Sequence, residues 1–134
     1  MDRLSAAQRS ELMSKVRSRD TKPELIVRSA LHGMGYRYSL HVRGLPGTPD
    51  MVFPSRGKVI FVSGCFWHGH GCRVGKSRPK SNVEFWKNKI ETNMRRDRRV
   101  AAALRRRGWS VMTVWECRIK KGNWIEAALR FLEK

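Results

Sequence analysis

Acidic residues are scarce in this chain. Asp and Glu number 11 against 29 Lys and Arg, a formal net charge of +18. The surface therefore cannot balance its own charge, and an excess of this size repels itself in the folded state unless a polyanion neutralises it. Nucleic acid is the expected polyanion, with counterion release driving association. Long apolar runs are missing as well. No stretch approaches the roughly 20 residues of a membrane span, and no signal-peptide pattern opens the chain. The expectation is a soluble, cytoplasmic protein. Cysteine is sparse: the three present are odd in number, which argues against a disulfide framework. In a reducing compartment such residues serve as metal ligands, nucleophiles or small core residues. Repeats and low-complexity segments are lacking too. What is present is 134 residues, 40% of them hydrophobic, enough for one core in a single domain over residues 1–134.

Chemistry-bearing residues concentrate in one stretch, Pro49 to Cys72, with the sequence P-D-M-V-F-P-S-R-G-K-V-I-F-V-S-G-C-F-W-H-G-H-G-C. Two apolar runs, Met51–Phe53 and Val59–Val62, flank the polar turn Ser55–Lys58. This pattern predicts a β-hairpin whose second strand ends in a loop of potential metal ligands and nucleophile activators.

Around that stretch the chain alternates helix and strand signals. Ser5 to Arg19 predicts a short basic helix, weakly amphipathic and suited to docking on the partner; residues 1–19 are thus a basic N-terminal arm expected to contact DNA. Thr21-Lys22-Pro23-Glu24 predicts a helix start with a capping box. Leu25, Ile26, Ser29, Ala30 and Leu31 would form that helix's inward face, with Gly33 or Gly35 as its end. Glu24 reads equally as a capping residue and as a site acid. Tyr36 to Val42 predicts a strand, 43–48 a loop, and 50–54 and 58–63 two more strands. Ser81, with Glu84, predicts the cap of a long helix that runs to about Arg107 and stops at Gly108. Its apolar stripe passes through Asp97, which Arg95, Arg96, Arg98 and Arg99 surround. A buried carboxylate needs a partner, either one of those arginines or, preferably, a group of the site. Trp109 to Trp115 predicts a buried strand with Cys117 at its end, and Asn123 the cap of a last helix, Trp124 to Leu132. The order ααβββαβα defines an α/β fold: a mixed sheet with helices packed on it.

Two metal sites are expected. Cys65, His70 and Cys72 form C-x4-H-x-C, and Cys117 completes a Cys3His set of structural-zinc composition. His68 could replace His70 in that set; if it does not, its imidazole is free to carry a proton. If the hairpin pairs as drawn, Asp50 lies beside Val62 and Ser63. A carboxylate with a neighbouring backbone carbonyl and waters suits Mg2+, and with His68 as the base this predicts metal-dependent phosphodiester hydrolysis. The second strand offers Phe61-Val62-Ser63-Gly64, with no ionisable side chain, so a histidine must do what a lysine does in a plain two-strand nuclease site.

P-G-T-P-D at 46–50, V-I-F-V-S-G-C-F-W-H-G-H-G-C at 59–72, E-F-W at 84–86, R-D-R-R at 96–99 and V-W-E-C at 114–117 together resemble the very-short-patch-repair (Vsr) DNA mismatch endonucleases. The likeness runs from about Met13 to Cys117. It implies a type II restriction-endonuclease-like fold with a structural Zn2+, and nicking of DNA beside the thymine of a T:G mismatch, the product of 5-methylcytosine deamination. It also implies site roles: Asp50 and the Val62 carbonyl on Mg2+, His68 as general base or acid, Asp97 in support, and Glu24 near the metal waters. Cys65, His70, Cys72 and Cys117 match the zinc ligands. Phe66, Trp67 and Trp86 match aromatics that wedge into the base stack, where a mispair costs less to unstack; Trp86, on an apolar helix face, reads equally as core. Met13 and Lys89 match residues that approach the mispair from the two grooves. Ser63 departs from the family, which usually has a histidine there, and serine supplies no charged donor. The competing expectations are a restriction-type or nicking nuclease with another target, and a catalytically weak zinc-containing DNA-binding module.

Overall fold

A computed structural model describes residues 21–66, 68–72 and 80–134. The expected helix over Ser5–Arg19, with Met13, lies outside the described residues, as does Trp67.

Helix α1 (Lys22–Gly33) begins where the capping pattern predicts. Thr21 is extended, its Oγ1 accepts from the Glu24 N–H at 3.4 Å, and Pro23 sits in the first turn. The inward face is rotated from the expected one. Leu25 and Ile26 are 40% and 43% exposed, whereas Glu24, Val27 and Leu31 are buried. These three follow one helical stripe whose first member is an acid, so counting apolar residues misplaces the face.

The strand over Tyr36–Val42 is much shorter than expected. Only Ser39 and Leu40 pair (β1), because His41 turns into the left-handed region at φ 50 and leaves the ladder. The expected hairpin follows as β2 (Met51–Phe53), a 3-10 turn over Pro54–Arg56, and β3 (Lys58–Ser63). Helix α2 (Val83–Arg106) then crosses over to β4 (Ser110–Trp115). The sheet order is β1-β2-β3-β4, antiparallel up to β3 and parallel between β3 and β4. A parallel pair requires such a crossover.

Alternation along the strands splits the core into two layers. Met51, Phe53, Ile60 and Val114 face Val27 and Leu31 of α1 and the C-terminal helices; Val52 and Val59 face Leu104 and Val100 of α2. The result is a single α/β domain with helices on both faces of a mixed four-stranded sheet.

Two caps differ from the sequence reading. Asn82, not Ser81, occupies the N-cap of α2 at φ 55 and makes no side-chain cap bond, so the Ser81–Glu84 box does not form; asparagine tolerates that left-handed backbone. After β4 the chain enters an unexpected helix, α3 (Glu116–Lys121), which places Cys117 in a helical turn. Six residues with one buried apolar side chain, Ile119, carry too little periodicity to be read in advance. The last helix, α4 (Ile125–Glu133), has Trp124 at its N-cap instead of Asn123. Buried Lys58 fixes its far end, donating to the carbonyls of Leu132 and Lys134, each at 3.1 Å. Among the described residues no helix is long and apolar enough to cross a membrane.

Candidate active site and metal centres

The C-terminal ends of β3 and β4 and the start of β2 converge on one edge of the sheet, where an open crevice is the usual ligand site of an α/β fold. Two ligand clusters lie there. The first follows from strand register. Ser63 is opposite Trp115 in the parallel pair, so two residues further along each chain Cys65 meets Cys117, whose N–H donates to Cys65 Sγ at 3.4 Å. The intervening loop folds back, with the His70 N–H donating to the Cys65 carbonyl at 3.0 Å. Gly69 permits this: it has φ 59, and a Cβ there would lie 2.5 Å from Met94 Sδ.

One ligand atom from each of Cys65, His70, Cys72 and Cys117 lies within 4.8 Å of the others, and Cys117 Sγ is 3.6 Å from His70 Nδ1. The His70 ring stacks on Trp115 at 4.2 Å and 15°. His70, not His68, therefore belongs to this set. Burial foremost pushes the Cys65 thiol up to about 12; the Cys117 N–H opposes the rise, and the Cys72 and Cys117 thiols add to it. A cation would hold the Cys65 thiol as a thiolate, and a closed four-donor thiolate–imidazole set fits a structural dication.

The second cluster gathers Glu24 from the first turn of α1, His41 from the end of β1 and Asp50 from the entry to β2, with ligand atoms again within 4.8 Å of one another. Asp50 Oδ2 accepts from the Val62 N–H at 2.7 Å. The contact that joins the hairpin's two strands here is thus the Val62 amide. Glu24 is only 2% exposed, and its Oε2 meets Arg28 Nη1 at 2.9 Å and His41 Nε2 at 3.1 Å. Its carboxylate consequently faces the site, beyond any capping role. Burial pushes Asp50 up to about 7; nearby Glu24 adds to the rise, while the Val62 N–H and His41 oppose it.

His68 Nδ1 and Asp97 Oδ2 are 2.5 Å apart. The expected pairing of Asp97 with a site group is present, but its burial is not: its side chain is 39% exposed. The stripe of α2 leaves the core at this level and lines the cleft. Glu24, Asp50, Val62, Ser63, His68 and Asp97 all border one cleft of about 1380 Å³, with Lys89 and Arg96 on its α2 side. A volume above the range of ordinary small-molecule pockets, rimmed by cations, suits a polymer backbone. Ser63 is buried at the end of β3. Phe66 packs edge-on against half-buried Trp86 at 5.6 Å, and exposed Phe85 meets Trp86 at 5.1 Å. This aromatic group stands beside the thiol loop, and Trp86 is not among the residues of the two core clusters.

Sequence reasoning missed His41. It lay within a predicted strand and matched no motif. The observed register reveals it: Leu40 pairs with Met51, so residue 41 falls opposite residue 50.

A strongly basic α/β domain with a carboxylate- and histidine-lined cleft at its strand ends has the groups that phosphodiester hydrolysis needs, and its relatives make it a DNA endonuclease. Residues 1–74 match the family described as DNA mismatch endonuclease Vsr. The chain is 56% identical over 129 residues to type II nicking enzyme V.XorIIP of Xanthomonas oryzae pv. oryzae, covering 96% of this chain and 94% of that one. It is 41% identical over 119 residues to type II nicking enzyme V.NmeAIP of Neisseria meningitidis, covering 89% and 84%. To DNA mismatch endonuclease Vsr of Escherichia coli K12 it is 42% identical over 114 residues, covering 85% and 72%. The chain belongs to the Vsr family of DNA mismatch endonucleases.

Proposed function

We propose that this chain hydrolyses one strand of duplex DNA next to the thymine of a T:G mismatch, in a Mg2+-dependent reaction, as a cytoplasmic monomer that is nucleoid-associated when on DNA. The observation that carries the reading is the opening of Asp50 and the His68–Asp97 pair into a single cleft. Asp50, with the Val62 carbonyl, would hold Mg2+, and Glu24 would order its waters. When bound, the ion stabilises charge on the phosphodiester transition state and its leaving oxygen. Asp97 fixes the His68 ring through Nδ1, so that Nε2 is the atom that takes the proton of the attacking water. Ser63 borders the reacting centre with a neutral hydroxyl.

Cys65, His70, Cys72 and Cys117 would hold Zn2+ and thereby tie the His68 loop to the end of β4. The core would be of the type II restriction-endonuclease kind. Phe66 and Trp86, with Trp67, form the wedge that unstacks the mispair, while Lys89 and Met13 approach it from the two grooves. Other repair proteins would act on the nicked product.

The test incubates the protein with T:G and matched duplexes in Mg2+ or EDTA. Nicking of the mismatched duplex alone, lost in EDTA, is expected. Equal cutting of both duplexes identifies a restriction-type or nicking nuclease with another target. Retention without cutting identifies a DNA-binding module, the reading that Ser63 favours.

A further inference from the structure

We propose that His41 is a direct ligand of the catalytic ion, making the site a Glu24–His41–Asp50 set that prefers Mn2+ to Mg2+. The inference rests on the reading of Asp50 as an ion-holding carboxylate and extends it to a residue without an assigned role.

Donor atoms that share one ion at bonds of roughly 2.1 Å lie about 3.0 Å apart when adjacent and about 4.2 Å apart when opposite. His41 Nε2 is 3.1 Å from Glu24 Oε2, the separation of adjacent donors, while Asp50 stands nearer the other ring nitrogen, with Oδ1 4.0 Å from Nδ1. The cluster as a whole spans no more than 4.8 Å between ligand atoms. With one donor atom from each residue, the set is slightly wider than a coordination sphere and closes onto one ion by small side-chain rotations.

The backbone is arranged for the same end. His41 adopts φ 50, a conformation that a non-glycine residue takes only against a steric cost. Its N–H donates to the Asp50 carbonyl at 3.4 Å. That single bond pins the ring's residue beside the carboxylate's, just where the chain leaves the β1–β2 ladder. The side chain is largely buried, at 13% exposure, yet borders the cleft.

A plain hydrogen-bond bridge between Glu24 and Asp50 would share much of this geometry, so the distinction must be made in the chemistry. Oxygen-only sites with several waters suit Mg2+, whereas an imidazole nitrogen shifts affinity toward first-row transition ions, Mn2+ being the first of that series. A bound imidazole also acquires spin density from Mn2+, which a hydrogen-bonded one outside the coordination sphere does not.

The experiment uses the full chain loaded with zinc, without DNA, and Mn2+ as the probe. Binding is read by electron paramagnetic resonance and nitrogen coordination by electron spin-echo modulation. The expected result is 14N modulation in the wild type, retained in His68→Gln and lost in His41→Gln. His41→Gln should also weaken Mn2+ binding at least about tenfold while changing the Mg2+ dissociation constant by less than about threefold, so that Mg2+ displaces Mn2+ more readily than in the wild type. Absence of 14N modulation in the wild type, or its loss in His68→Gln, overturns the proposal. Modulation retained in His41→Gln overturns it equally, and His41→Asn takes that variant's place if His41→Gln does not fold. Asp50→Asn separates the two levels of inference. Mn2+ binding lost in Asp50→Asn, with no nitrogen signal in the wild type, removes only the His41 ligand. Mn2+ binding unaffected by Asp50→Asn removes the ion site itself.

Discussion

Three of the four donors in the thiol-rich centre come from a single loop, residues 65–72, and the fourth, Cys117, from the first turn of α3. Glu24, His41 and Asp50 come instead from three separate elements and open into the cleft. The first set would saturate a tetrahedral ion with its own donors, whereas the second would leave coordination positions for water and substrate. On the proposed reading, that is the difference between a centre that holds structure and one that performs chemistry. The two share one sheet edge, so the His68 loop is braced by the first while its imidazole reaches the cleft of the second.

Stripping the thiol-rich centre is the largest perturbation expected. Cys65→Ser or a strong chelator should cost on the order of 5 kcal/mol or more of folding stability, seen as a large fall in melting temperature. An unchanged melt would erase the contrast drawn between the clusters. Next comes Asp50→Ala, which should lower nicking at least about a thousandfold while DNA affinity stays within a few-fold, because the basic surface does the binding. Affinity lost with turnover intact would reverse that assignment. Asp97→Asn should reduce kcat by roughly a hundredfold without lowering the melting temperature, since its carboxylate is half exposed.

The pH dependence sharpens the comparison further. In metal-free protein, burial raises Asp50 from 3.8 to about 7. The folded state therefore holds this proton more tightly than the unfolded chain does. Its contribution to stability is full below the unfolded value and is lost as pH rises through about 7. Melting of the metal-free protein should weaken over that window in the wild type and be flatter in Asp50→Asn. Divalent binding must displace the same proton, so affinity should rise by up to about tenfold per pH unit and level off above neutrality, as calorimetry would show. The smallest change expected is that of Ser63→His. A charged donor at the end of β3 should raise nicking, by roughly tenfold or less, and a lower rate would show that this histidine's role does not transfer here.

Legibility in the sequence tracks how local each feature is. Thr21 caps α1 and Gly108 follows the end of α2 as their residue types require. The C-x4-H-x-C spacing already marks the thiol loop, while leaving His68 and His70 as alternatives. Where burial or pairing depends on distant parts, the sequence misleads. Leu25 and Ile26 look like core and are exposed, because the buried stripe of α1 starts at an acid that faces the cleft. Asp97 sits on an apparent apolar stripe, yet the helix has left the core at that point.

By itself the chain determined its polyanion partner, its α/β order and the thiol-rich loop, because charge, alternation and close spacing are properties of neighbouring residues. Only the tertiary structure decided that His70 and not His68 joins the thiols, that His68 meets Asp97, and that His41 stands between two carboxylates. Those choices hang on which strands pair and in what register, and on one left-handed residue at the end of β1, none of which a local pattern can encode.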